Sequence, residues 1–248
     1  MNAPAADSLS RDARHLALPQ VGADGQARIR AARVLLIGAG GLGNAAAAYL
    51  VAAGVGELIV ADFDRVDATN LGRQFLFGPS DVGESKVSVL ARRLSEINPD
   101  TRITEAPIRI DADSVDEPVS GADVVLDGSD NFRTRFVVAD ACVRHAKALV
   151  AGSAIRLEGQ VATFGPDYAE SPCYRCVYSE ADESLEDCAG NGVFSPVPGV
   201  VGTLMAVDAL KLLAGLPVQR GHLTLFDAIS SEFRSVRVKK SVDCRACS

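Results

Sequence analysis

Val34-Leu-Leu-Ile-Gly-Ala-Gly-Gly-Leu-Gly43 runs an apolar strand straight into a turn with four glycines. Glycine lets a backbone approach an anion closely, because no Cβ intervenes and a positive φ costs little. A helix is expected over 42–53, so its unpaired N–H groups and positive dipole end face whatever occupies the turn. Gly38, Gly40 and Gly43 satisfy the GxGxxG dinucleotide fingerprint, and Asp62 closes the next apolar run, 57–62; that is where the fingerprint places its acid. A nucleotide belongs at this turn.

Strands are expected at 34–38, 57–62, 102–108, 123–127 and 148–151. They alternate with helices at 42–53, 83–97 and from Asn131 to about His145. This pattern predicts an α/β fold with a Rossmann-like, mainly parallel sheet covered on both faces. From Gln160 the pattern changes to further strands around a polar stretch, Ser179 to Asn191, with one apolar helix over 199–213 and a hairpin-like pair at 223–226 and 233–238. These strands are expected to extend the same sheet in antiparallel fashion. The expected organisation is a helical leader over 1–32 and one domain over 33–248, with a nucleotide half (33–155) and a second half (156–248).

The chain has 248 residues, 48% of them hydrophobic, with 23% charged and a net charge of −7. One large domain or one with a small appendage fits this length. The acidic balance argues against binding a nucleic-acid backbone, and the absence of tryptophan removes an obvious stacking platform. The basic cluster Arg234, Arg237, Lys239 and Lys240 is expected to be a solvated strand face. Val34 to Gly56 carries no charge, yet its glycines and Asn44 fit strand, turn and helix better than a membrane span. The first residues lack the apolar core of a signal peptide, so a cytoplasmic setting with reduced cysteines is expected.

Cys173-Tyr-Arg-Cys176 and Cys244-Arg-Ala-Cys247 form two Cys-x-x-Cys clips. Four thiolates suit tetrahedral zinc without an open position, a structural site that would staple the tail to the sheet; a redox dithiol is the competing reading. Cys142 reads as an apolar residue buried on a helix, and Cys188, in the polar stretch, as an exposed thiol or a nucleophile. Asn70, Arg73 and Lys86 follow the second strand, and Asp130 follows the fourth, at the edge where open α/β sheets bind ligands. Arg and Lys neutralise a triphosphate and Asp holds magnesium. Nicotinamide chemistry needs no such set, and His15, His145 and His222 are expected away from that edge. A dehydrogenase and a non-catalytic scaffold are the alternatives to weigh.

Gly-Ala-Gly-Gly-Leu-Gly, Ala-Asp-Phe-Asp, Thr-Asn-Leu-Gly-Arg-Gln, Asp-Gly-Ser-Asp-Asn and Ser-Ala-Ile-Arg-Leu-Glu-Gly-Gln, followed by Cys-Tyr-Arg-Cys and Gly-Val-Val-Gly-Thr-Leu, occur here in series. From about Arg11 onward the chain resembles the MoeB/ThiF family, bacterial relatives of the ubiquitin-activating enzymes. The resemblance implies adenylation, with Mg2+ and ATP, of the C-terminal glycine of a ubiquitin-like sulfur-carrier protein. It implies that Gly41 backs the phosphates and that Asp62 holds the ribose hydroxyls. Asn70, Arg73 and Lys86 would hold the phosphates and Asp130 the magnesium, with Asn131 beside it. Arg14 matches an arginine that arrives from the partner subunit of a homodimer, and Cys188 a cysteine that some members use for covalent sulfur chemistry. Gly72 and Met205 stand where the family pattern has Gln. The carrier could serve molybdopterin, thiamine or related sulfur pathways, with a separate sulfurtransferase.

Overall fold

The computed structural model describes residues 11–179 and 192–248. The polar stretch with Cys188, and residues 1–10, lie outside the described residues. After α1 (Ala13–Leu16) and α2 (Gly22–Ala31) come β1 (Arg33–Ile37), α3 (Gly41–Ala52), β2 (Glu57–Ala61), α4 (Lys86–Ile97) and β3 (Arg102–Ala106). α5 (Asp116–Ser120), β4 (Val124–Asp127), α6 (Phe132–Arg144), β5 (Ala148–Ile155) and β6 (Glu158–Phe164) follow, then α7 (Pro196–Ala214), β7 (His222–Asp227) and β8 (Glu232–Arg237). Among the described residues these strands form one eight-stranded sheet, ordered β3-β2-β1-β4-β5-β6-β7-β8. The first five strands pair in parallel, and β6, β7 and β8 add on antiparallel. The expected antiparallel extension is therefore observed.

β1 is central, flanked by β2 and β4, and Val34 to Ile37 are all buried. A strand covered on both faces reads as a continuous apolar run instead of an alternating one. Fully burying each of Leu35 and Leu36 contributes about 2 kcal/mol. α3 carries no charged residue because it packs against both the sheet and α7; a Cβ on Gly202 of α7 would fall 2.2 Å from the Leu42 carbonyl oxygen. α7 is long and apolar enough to cross a membrane by length and composition, with half of that stretch buried inside the protein. Its burial is core packing against α3, β5 and β6. The opposite face of the sheet is covered by α6 and an aromatic group, in which Tyr174 meets Phe136 and Phe164 edge-on.

Several boundaries move from the sequence expectation for local reasons. β3 stops at Ala106 because Pro107 has no N–H for the ladder, and Ile108 N instead reaches Ala106 O at 2.7 Å. α4 starts at Lys86, since Gly83 has φ +89°. α7 starts at Pro196, in the first turn, where proline's missing N–H costs nothing.

Candidate active site

The glycine turn is shaped by three close approaches. Gly38 adopts φ +90°, and a Cβ there would lie 2.9 Å from Gly128 O. A Cβ on Gly43 would overlap Gly38 O at 1.9 Å, and one on Gly41 would press on Pro198 of α7 and the Arg73 carbonyl. Gly40, which precedes α3 and gives it no side-chain cap, would meet only Gln74 at 3.9 Å. The turn is thus closed on its protein side and open toward the N-terminus of α3. Asn44, buried, ties it down: Nδ2 donates to Ala39 O and Gly40 O, and Oδ1 accepts from Leu76 N. Bracing the turn is a role for Asn44 that no spacing in the sequence signals.

Asp62 follows β2 directly and accepts from Ala39 N at 2.7 Å and Asp64 N at 2.8 Å. Burial pushes its carboxyl above the usual carboxylate range, against the pull of Lys86 and of those two N–H groups. Lys86, the first residue of α4 and buried, places Nζ 2.8 Å from Asp64 Oδ2. A buried ammonium needs such a counter-charge, and Asp64 is a partner the sequence had left without a role. Arg73 Nη1 donates to Thr69 O at 3.1 Å, and Asn70 Oδ1 accepts from Gln74 Nε2 at 2.8 Å. Asp130 is exposed beyond β4, in a turn wedged against the glycine turn through Gly128. Asn131 caps α6, accepting from Thr134 N at 2.9 Å. Gly38, Gly40, Gly41, Gly43, Asp62, Lys86 and Asp130 thus share the carboxyl edge of the parallel strands.

Arg14 is not brought to that edge within one chain. The leader docks at the opposite end of α3, where Gln26 Nε2 donates to Ala53 O and His15 Nδ1 meets Gln26 Oε1. Twelve residues of α3 separate that contact from the glycine turn, about 18 Å at the helical rise. The histidines lie off the ligand edge as expected, since His145 pairs with Asp116 and His222 with Ser235.

The two cysteine clips converge. Cys173 Sγ lies 3.6 Å from Cys244 Sγ, Cys176 Sγ 3.7 Å from Cys247 Sγ, and Cys173 Sγ 4.0 Å from Cys176 Sγ. Zinc–sulfur bonds of about 2.3 Å in a tetrahedron separate sulfurs by about 3.8 Å, so this donor set fits such an ion. Burial drives the Cys173 thiol up. Burial acts the same way on Cys244, but hydrogen bonds, chiefly from the Ala246 and Cys247 backbone N–H groups, outweigh it and hold that thiol at about 7. Cys142 is fully buried on α6 with its thiol pushed up, in line with the apolar reading. The solvated-strand expectation fails for Lys240: β8 ends at Arg237, and Lys240 Nζ turns inward to Tyr168 O, Cys247 O and, at 3.3 Å, Cys247 Sγ. Alternation could not extend past the strand's end.

A profile of the ThiF family matches residues 13–246. The chain belongs to the ThiF family. It is 43% identical to a sulfur carrier protein adenylyltransferase of Thermus thermophilus, over 97% of this chain and 91% of that protein. It is 41% identical to a SAMP-activating enzyme E1 of Haloferax volcanii, over 98% and 90%, and 40% to the sulfur carrier protein ThiS adenylyltransferase of Escherichia coli, over 96% and 94%. Among solved structures, Escherichia coli MccB with ATP superposes with a TM-score of 0.80 at 26% identity, covering 91% of this chain and 69% of that one. ThiF family membership accounts for the ordered series of motifs along the sequence.

Proposed function

We propose that the chain is an ATP-dependent adenylyltransferase that activates the C-terminal glycine of a ubiquitin-like sulfur-carrier protein. The observation that carries this reading is one ligand edge uniting the open glycine turn, Asp62, the Lys86–Asp64 pair and Asp130. The names of the relatives point the same way. In this reading a carrier carboxylate oxygen attacks the α-phosphorus of ATP, the bond to the β-phosphate oxygen breaks, and acyl-adenylate and pyrophosphate result. No enzyme nucleophile is needed, so catalysis is positioning plus charge neutralisation. Asp62 takes the ribose hydroxyls, and Asn70, Arg73 and Lys86 take the phosphates beside Gly41. Asp130, next to Asn131, would hold Mg2+, which neutralises phosphate charge.

A groove of about 360 Å3 crosses β5 to β8, lined by Ser153, Ile155, Gln160, Leu225, Phe226 and Arg234 among others. Ser153 and Gln160 also line a small cavity that reaches Asp127 at the end of β4. The groove offers the carrier tail a route from the antiparallel half (156–248) to the nucleotide half (33–155). The four cysteines hold structural zinc, a homodimer supplies Arg14 in trans, and a separate sulfurtransferase delivers sulfur in thiamine, molybdopterin or related synthesis. A cytoplasmic setting and a thiol role for Cys188 belong to the same reading.

The test is carrier-dependent ATP–pyrophosphate exchange. Lys86→Ala and Asp130→Ala are each expected to cut exchange at least 100-fold with thermal unfolding unchanged within a few degrees. Full exchange in both variants refutes the mechanism.

A further inference from the structure

The turn that carries Asp130 is held by two buried charged side chains to which neither the motifs nor the proposed chemistry gives a task. Asp127, the last residue of β4, is 1% exposed, and its Oδ1 accepts from Ser129 N at 2.9 Å. Arg135, on the first turns of α6 and 9% exposed, donates from Nε (3.1 Å) and Nη2 (2.7 Å) to Ser129 O. Both backbone groups of Ser129 are therefore gripped, one by each side chain. Gly128, the residue between, abuts Gly38. The grip thus fixes the Asp130 turn against the glycine turn.

A hydrogen-bonded turn can be held by neutral groups, and burying opposite charges costs desolvation that seldom yields net stability. Asp127 Oδ2 has no hydrogen-bond partner among the described residues. It lines a cavity of about 10 Å3 shared with Arg135, Ser153, Gln160 and Tyr174, room for about one water molecule.

We propose that Asp127 and Arg135 are positioning residues that hold Asp130 where it takes the divalent cation of the bound nucleotide triphosphate. This rests on the reading above, in which Asp130 is the magnesium residue. A shift at Ser129 carries Asp130 with it, so loss of the grip should weaken cation binding while leaving contacts to ribose and base intact. The Arg135 fork is planar and two-toothed, and lysine keeps its charge without that geometry.

The experiment measures the Kd of ATP by calorimetry with excess Mg2+ and again with EDTA, for the whole chain and for Arg135→Lys, Asp127→Asn and Asp130→Ala. In the native chain Mg2+ is expected to tighten binding about tenfold or more. Arg135→Lys is expected to lose most of that factor, with the Kd in EDTA within threefold of native, whereas Asp127→Asn keeps an acceptor for Ser129 N and is expected to lose it only in part. A native Mg2+ factor in Arg135→Lys overturns the proposal, even if the variant melts earlier, because a purely structural role moves only the melting. If Asp127→Asn does not fold, Arg135→Lys alone decides. If Asp130→Ala keeps the full factor, the magnesium reading of Asp130 fails, and the proposal with it.

Discussion

Asp62 and Asp127 lie at the ends of β2 and β4, the two strands that flank β1, and burial lifts both carboxyls above their usual range. For Asp127 the folded state binds a proton more tightly than the unfolded chain does. Its contribution to stability is therefore complete below about pH 4, the ordinary aspartate range, and is lost as pH rises through the raised folded value. Asp127→Asn removes that slope. The melting temperature of the variant should gain on the native chain by several degrees between pH 4 and 8, read by calorimetric scans. A constant difference across the range would show that the Asp127 carboxyl is not raised in the folded state. Asp64 and Asp127 were visible in the sequence only as letters of motifs, and Arg135 lay outside every one of them. What each grips depends on neighbours 22, 2 and 6 positions away, which motif spacing does not encode.

At the scale of elements, the two cysteine clips are 71 residues apart in sequence and meet because β7 and β8 return the chain to the sheet. The segment after β8 is pinned by Lys240, whose ammonium lies against Cys247 Sγ and the carbonyls of Tyr168 and Cys247. A four-thiolate zinc carries net negative charge, and outer partners of this kind are worth 10- to 100-fold in metal affinity. Lys240→Met is expected to release zinc to a chelator about tenfold faster than the native chain, with Lys240→Arg close to native, followed by a chromogenic zinc indicator. Equal release rates for Lys240→Met and the native chain would leave Lys240 without a part in metal retention. The clips were legible from Cys-x-x-Cys spacing; the latch was not, because Lys240 looked like the last member of an alternating basic face.

At the scale of the whole molecule, the leader binds the far end of α3 while the proposed phosphate residues crowd the near end. Arg14 can serve a site only by belonging to another copy of the chain. In a two-fold dimer each subunit then lends its leader to its partner. Arg14→Ala and Lys86→Ala, each inactive alone, should recover about a quarter of native exchange when co-refolded in equal amounts, because half the dimers are mixed and each mixed dimer retains one intact site. No recovery in verified mixed dimers would place Arg14 outside the trans site.

The linear order of residues was enough to read the parallel core, the glycine turn, the acid at the end of β2, the charged set beyond it and the pairing of cysteines into clips. These are local: they follow from apolar runs, from glycines that clear a Cβ, and from ligand spacing within a few residues. Packing settled which charges neutralise one another, that buried Asp127 and Arg135 hold Ser129 from both sides, that Lys240 faces inward, and that Arg14 stands away from the glycine turn of its own chain. Those outcomes depend on burial, since a charge withdrawn from water must find a partner wherever the fold brings one near.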